Sequence, residues 1–364
     1  MLGDRIITFN RKRWSITERE GASSKRAVLF TVAGLLLFIL YLYFFVGFGE
    51  VLDVIRRVDP INYFFYYSLT VMAIVLSLVF FSLTWRELLL GLSVQISFRR
   101  AFLYCLVANF VDLLLPTEAI SGEAIRLYLT SKGSGESRIG RVTASLVIHR
   151  LLSMTTTLIG LLAGSAIILL DYKVTFYLSS LLITVSAGTS ATIFLLLYLS
   201  LRRGPAERLI DWVLGLASSI SRGRLNIAKW RERILNVLWS FHQGIDVIRA
   251  HPKNLIKPVI FSVLSWFFYL STYHMVFCAL GLDVPFAVSM VVFSISVAVQ
   301  TVPVGIPVGL VEIVMTTLYT LFNIDIAISG TATTLIRVVT FWFRIVIGYA
   351  AAQWIGVEAL LRRS

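Results

Sequence analysis

Apolar runs long enough to cross a bilayer limit what this chain can become more than any other feature in it. Predominantly apolar stretches occur near residues 26–48, 61–84, 174–200 and 256–281, and a spanning helix needs about 20 such residues. Two further stretches, 142–170 and 330–357, are apolar but carry arginine. The fold class this predicts is an all-α polytopic membrane protein. Overall composition agrees, because 57% hydrophobic residues and a mean hydropathy of +0.83 lie outside the range of soluble domains. The first stretch follows a basic lead and has no A-x-A-like cleavage site, so it reads as a retained anchor rather than a signal peptide.

Several chemistries find no support in the residues. Cys105 and Cys278 lie far apart in apolar surroundings, which gives neither a disulfide framework nor a zinc spacing. The four histidines form no H-x-x-x-H pair, and the chain carries no G-x-S-x-G elbow and no Walker lysine motif. The chain is therefore not expected to be an enzyme, and no metal or cofactor is expected. The net formal charge of +13 is spread over membrane-proximal loops, so nucleic acid is not an expected partner.

The positive charges predict topology. Residues 1–26 hold seven Lys/Arg against three acids, and 201–257 hold eleven against four. Both segments are expected to be cytoplasmic. Segment 84–100 adds Arg86, Arg99 and Arg100 against Glu87, whereas 49–60 and 171–173 carry no basic excess and are expected outside. A chain obeying these assignments must begin and end inside between 84 and 142. The segment 99–131 is then expected to enter the membrane, break and return. Its middle, NFVDLLLPTEAISGEAIR at 109–126, carries Pro116 and Gly122, which interrupt a helical donor ladder and relax the backbone.

A second interruption lies in SVAVQTVPVGIPVGLVEIVMTTLY at 296–319, where Pro303, Pro307 and Gly309 make a continuous helix unfavourable. This hairpin, near 286–322, is expected to dip in from the outer face. The last helix then returns the C-terminus to the cytoplasm, where the N-terminus also lies. Six spanning helices and two opposed re-entrant hairpins satisfy every charge cluster in a cell-membrane protein. The domain plan is a basic segment 1–25, a first membrane half 26–200, a cytoplasmic amphipathic insertion 201–257 and a second half 258–364. In each half a hairpin and a glutamate precede an intramembrane arginine: Glu123 then Arg150, and Glu312 then Arg337. With flanking helices running in opposite senses, this is the pattern of an inverted repeat, common among secondary transporters with broken helices at a midplane site.

LPTEAISGEAIR followed by TASLVIHRLLSM, and PVGIPVGLVE followed by TLIRVVTFWFR, resemble the lysylphosphatidylglycerol synthase transmembrane region family. Its members are similar to the flippase half of the bacterial multiple peptide resistance factor. The resemblance covers roughly 27–357 and puts the family's glycines and glutamates on Gly122, Glu123, Gly309 and Glu312. It implies lipid translocation. No aminoacyl-transferase domain follows Ser364, so lysyl-lipid synthesis is expected to be absent and the substrate open.

Charged groups in a bilayer cost about 2.5–3.5 kcal/mol each on insertion scales unless paired or hydrated. Arg126, Arg150, Arg337 and Arg344 are expected to meet Glu118, Glu123 and Glu312 where the hairpin tips approach. Helix N-termini near Gly122 and Gly309 would add amide donors, and guanidinium groups bind phosphate through paired hydrogen bonds. The same Glu/Arg pairs could instead be structural locks. His149 could titrate near neutral pH or be a core histidine, and Asp112 could carry a coupling proton or cap within its hairpin. Ile227, Trp230, Ile234, Leu238, Phe241, Ile245 and Ile248 repeat at intervals of three and four, an amphipathic helix expected along the inner leaflet or against another subunit. Three functions stay open: a translocase of an anionic phosphate-headgroup lipid, a carrier of a small soluble anion, and a non-transporting partner of a lipid-modifying enzyme. The expected partners are membrane lipids, with a homo-oligomer or a lipid-modifying enzyme as further candidates.

Overall fold

The structure is a computed structural model that describes residues 49, 53–54, 56–114, 121–132, 135–171, 176–221, 227–301 and 307–361. The expected first span at 26–48, the break residues Pro116 and Pro303, and Glu118 lie outside the described residues. Within them the chain is helical, without a strand.

Helix α1 (Pro60–Gly91) starts where its residues dictate. Asp59 caps it by accepting from the Asn62 amide at 3.1 Å, and Pro60 takes the first helical position, where its missing N–H costs nothing. Two short helices follow, α2 (Phe98–Leu114) and α3 (Ser121–Ser131). Then come the long α4 (Glu136–Asp171) and α5 (Phe176–Leu201), the pair α6 (Arg203–Ser221) and α7 (Ile227–Ala250), and α8 (Ile256–Ala279). A second short pair, α9 (Phe286–Thr301) and α10 (Pro307–Leu321), precedes α11 (Ile326–Arg337). α11 runs through a π-wound stretch, Val338–Phe343, into α12 (Arg344–Leu361). Among the described residues, five helices are long and apolar enough to span: α1, α4, α5, α8 and the continuous α11–α12. At 1.5 Å per residue, α2, α3, α9 and α10 fall short of a hydrocarbon core about 30 Å thick.

α1 and α8 form the central pair and run antiparallel, Asn62 donating to the Cys278 carbonyl at one end and Gly91 lying beside Asn254 at the other. The largest apolar core gathers around Tyr273, Phe277, Phe293 and Tyr319 of the second half. A smaller one joins Trp85 and Leu89 to Cys105 and Val142. α5 stands at the edge, with Ile183, Phe194, Leu195 and Tyr198 exposed, as expected of a helix facing lipid rather than water.

α2 and α3 fold back antiparallel. Gly122 lies so close to the preceding helix that a Cβ there would sit 2.7 Å from the Ala108 carbonyl oxygen, and Arg126 returns alongside Cys105.

The amphipathic helix in the 201–257 insertion packs differently from the sequence expectation. Phe241, Ile245 and Ile248 of α7 are buried against Leu88, Leu92, Ala144 and Ile148 of α1 and α4, so this face is not offered to a leaflet. Gly140 makes the approach possible, since a Cβ there would collide with the Ser240 side chain. The exposed apolar stripe belongs to α6, where Leu209, Trp212 and Val213 share one face while Ala206 turns inward. Arg231 of α7 holds Asp211 of α6 through two hydrogen bonds of 2.7 and 3.0 Å. That contact keeps the Asp211 carboxyl below its ordinary range.

Candidate functional site

Each short-helix pair carries a carboxylate at its turn, and both carboxylates are engaged with backbone. Asp112, at the end of α2, accepts through Oδ1 from the Ser121 hydroxyl at 2.7 Å and from the Gly122 amide at 2.6 Å. It thereby caps α3 from the opposite helix. Glu312 caps α10 from within. Gly309, at a φ of +95° open to glycine, turns its amide back onto Glu312 Oε2 at 2.7 Å. The other oxygen, Oε1, accepts from Arg337 Nε at 2.6 Å, with both side chains 3% exposed. This is the one buried ion pair among the described residues. The helix N-termini expected to present amides to a phosphate are therefore occupied by the protein's own carboxylates. In the first half it is Asp112, not Glu123, that caps the returning helix.

Arg126 is buried among aromatic rings, 5.5 Å from the Phe81 centroid and 5.2 Å from that of Trp85. These faces supply part of what water gave it. Its Nη1 lies 3.0 Å from His149 Nδ1. A guanidinium can only donate, so Nδ1 must hold the lone pair and the imidazole proton sits on Nε2. Glu123 lies close enough to Arg126 and Arg150 to feel both charges.

Arg344 serves the opposite half of the molecule from Arg337. In an unbroken α-helix, residues seven apart share a face. The π-wound turn between these two arginines breaks that relation. Arg337 stays with Glu312 and lies 4.5 Å from the Phe341 centroid. Arg344 donates to Asn109 Oδ1 of α2 and, at 3.3 Å, to the Tyr269 hydroxyl. Asn109 is oriented for this because its Nδ2 is spent on the Cys105 carbonyl at 3.0 Å. Arg126 thus sits with His149, Arg337 with Glu312 and Arg344 with Asn109.

A cavity of about 110 Å³ is lined by Asn109, His149, Trp266, Tyr269 and Arg344, room for about three waters or one phosphate-sized group. Several acceptors on its lining residues are engaged: Asn109 Oδ1 and His149 Nδ1 by arginine, and the Ser77 and Ser265 carbonyls by each other's hydroxyls. Two of its donors are not. Arg344 Nε and Trp266 Nε1 are buried without a hydrogen-bond partner, and neither group can accept. Ser153, Thr157 and Val297 line this cavity and also a second, more open one of about 350 Å³ between α4, α5 and α9. The walls of that groove include Leu158, Leu161, Val185 and Val299, with Arg150 at its lining. Trp266, Tyr269 and Asn109 carry no signal in the sequence, since aromatic residues and an amide within apolar runs have no distinctive spacing.

Long apolar helices arranged around two short-helix pairs and a buried polar cavity define a multi-pass membrane protein built about an internal site. The chain belongs to the lysylphosphatidylglycerol synthase transmembrane region family, which matches residues 31–348. It is similar to a UPF0104 membrane protein of Methanothermobacter thermautotrophicus, 25% identical over 319 residues, covering 85% of this chain and 90% of the relative. A second protein of that name from the same organism is 22% identical over 344 residues, covering 92% and 95% respectively. A UPF0104 membrane protein of Pyrococcus horikoshii is 21% identical over 290 residues, covering 77% and 84%.

Proposed function

We propose that this protein moves an anionic phosphate-headgroup lipid between leaflets without altering it chemically. The observation that carries the reading is a donor-rich cavity joined side by side to an apolar groove. The Arg344 guanidinium in the cavity wall suits phosphate oxygens, and the α4–α5–α9 groove suits an acyl or isoprenoid chain that stays in hydrocarbon. A carrier of small soluble anions needs a chamber sealed from lipid, which such a groove does not favour. Membrane lipids are then the partners, and the setting is the cell membrane with α6 and α7 on the cytoplasmic side.

An inverted repeat with re-entrant hairpins is supported by contacts at a pseudo-two-fold axis. Ser77 and Ser265, 188 positions apart, exchange hydroxyl-to-carbonyl hydrogen bonds of 2.9 and 3.0 Å. Phe80 and Phe268, separated by the same interval, stack with their rings 2° from parallel. Equivalent positions of two related halves touch one another only at the axis relating them. The first residues of α2 and α9, Phe98 and Phe286, keep the interval, as do Gly160 and Gly348. Antiparallel α1 and α8 give the opposed topology that rocking between two leaflets requires.

The test is reconstitution in phosphatidylglycerol vesicles holding a tail-labelled fluorescent phosphatidylglycerol, with dithionite bleaching of the outer leaflet. Bleaching well beyond the outer-leaflet fraction is expected with protein present. Movement no faster than in protein-free vesicles, or equal movement of a lipid lacking phosphate, overturns the reading.

The same reading puts α6 on the lipid surface. Its exposed Leu209, Trp212 and Val213 adjoin the exposed Arg202, Arg203 and Arg208, suited to anionic headgroups. Spin labels at 209, 212 and 213 in nanodiscs are expected to meet oxygen more than a water-soluble nickel reagent. Labels at 208, 211 and 215 are expected to show the reverse, and uniform water access at all six positions would refute the placement.

A further inference from the structure

The two seams that the pseudo-symmetry makes equivalent differ in this structure. One lies between α4 and α9, where the 350 Å³ groove runs past Thr157, Ser294, Val297 and Ala298. Its counterpart lies between α12 and α2. Applying the interval that separates Ser77 from Ser265, Leu106 answers to Ser294, Asn109 to Val297, Phe110 to Ala298 and Gly348 to Gly160. Arg344 falls opposite Thr156–Thr157, the pair spanning the one residue that the π-wound turn absorbs. Arg150 and Arg337, before that turn, are one residue closer together than the interval, while Gly160 and Gly348, after it, keep it.

The α2–α12 seam is shut along its length. A Cβ on Gly348 would lie 2.6 Å from the Phe110 Cβ and 2.8 Å from the Leu106 carbonyl oxygen. Leu106 and Ala351 are buried together with Phe102 and Ile347 packed against them, and Phe110 touches the Tyr349 ring at 5.9 Å between centroids. Across the inner end of the seam, Arg344 donates to Asn109. The α4–α9 seam is tight only at its far end, where a Cβ on Gly164 would meet the Met290 Cβ at 2.9 Å. Toward the hairpin turn it opens. There the latch positions are Thr and Val rather than Arg and Asn, and Ser294 reaches the Thr157 carbonyl only through a long 3.4 Å contact.

We propose that the α2–α12 seam is a second lateral lipid entry, closed in this conformation by the Asn109–Arg344 latch, and that an arriving headgroup phosphate opens it. The inference rests on the translocase reading and names the gate of its other state. The latch chemistry makes it releasable. An amide oxygen is a neutral acceptor, so a phosphate in the adjoining cavity outcompetes it for the guanidinium. Arg337 faces a carboxylate instead and has no reason to let go. Because Arg344 lines the cavity while bonding α2, occupation of the site and release of the seam fall on one side chain. A lipid admitted through the α4–α9 groove thereby loosens the seam through which it leaves.

The test joins Phe110→Cys and Tyr349→Cys with a short bis-methanethiosulfonate cross-linker in the full chain, with Cys105 and Cys278 replaced by serine. Translocation of tail-labelled phosphatidylglycerol is expected to fall at least tenfold on cross-linking and to recover on reduction. Undiminished movement with the seam cross-linked overturns the proposal. Independently of transport, spin labels at 110 and 349 in nanodiscs are expected to give two separations. The longer one should gain population when phosphatidylglycerol replaces phosphatidylcholine. A single short separation in both lipids overturns the gate. If the parent chain moves no lipid but the two separations appear, the gate stands and the translocase reading falls.

Discussion

Arg344→Ala is expected to slow movement of phosphatidylglycerol in reconstituted vesicles by roughly 10- to 100-fold while the protein still folds. Hydrogen bonds to a charged group contribute about 1.5–3 kcal/mol each, and each 1.4 kcal/mol lost from a barrier-lowering contact is tenfold in rate. The side chain is only partly buried and its partners are the neutral groups Asn109, Tyr269 and the Thr340 carbonyl, so its removal strands no opposite charge. Arg344→Lys keeps the charge but not the planar fork, and should fall between wild type and alanine. The readout is dithionite bleaching kinetics beside a thermal unfolding trace. A wild-type rate in Arg344→Ala would remove this guanidinium from the headgroup path.

The second large effect is on stability. Arg337→Ala leaves the Glu312 carboxylate buried with its Oε1 unpaired, and Glu312→Ala leaves both the guanidinium and the Gly309 amide without their acceptor. Breaking one side of a buried pair costs about 3–5 kcal/mol, whereas replacing both sides with well-packed neutral residues is often near neutral. Each single variant is therefore expected to lose most of its yield and to unfold well below the parent in detergent. Glu312→Gln combined with Arg337→Met should recover much of the loss, since glutamine can still accept from Gly309. The check is a double-mutant cycle on unfolding midpoints, with Glu312→Gln and Arg337→Met also measured singly. Additive losses would mean the contact contributes nothing of its own.

Much of the architecture was legible because the bilayer leaves few options. Apolar length located α1, α4, α5, α8 and α11–α12. The pairing of Glu312 with Arg337 followed from a glutamate and an arginine that hydrocarbon would not tolerate apart. Other features were hidden for physical reasons. Asp112 caps α3 across a turn, and nothing in its spacing separates that role from a proton carrier. The α7 stripe fits a leaflet and a protein groove equally well, and only the small residues Gly140 and Ala144 opposite it decide in favour of the groove. Trp266 and Tyr269 look like ordinary membrane aromatics until the fold places both in the wall of a cavity.

The extra residue wound into Val338–Phe343 has a consequence for vectorial behaviour. Arg337 stands one residue short of the interval from Arg150, the π-wound turn takes up the difference, and by Gly348 the chain is back in step with Gly160. A perfectly mirrored machine would present identical thresholds to the inner and outer leaflets. With Arg344 on one flank and Thr156–Thr157 at the matching place on the other, the proposed translocase would offer a lipid a cationic clasp on one side and hydroxyls on the other, and inward and outward passage would then encounter different chemistry.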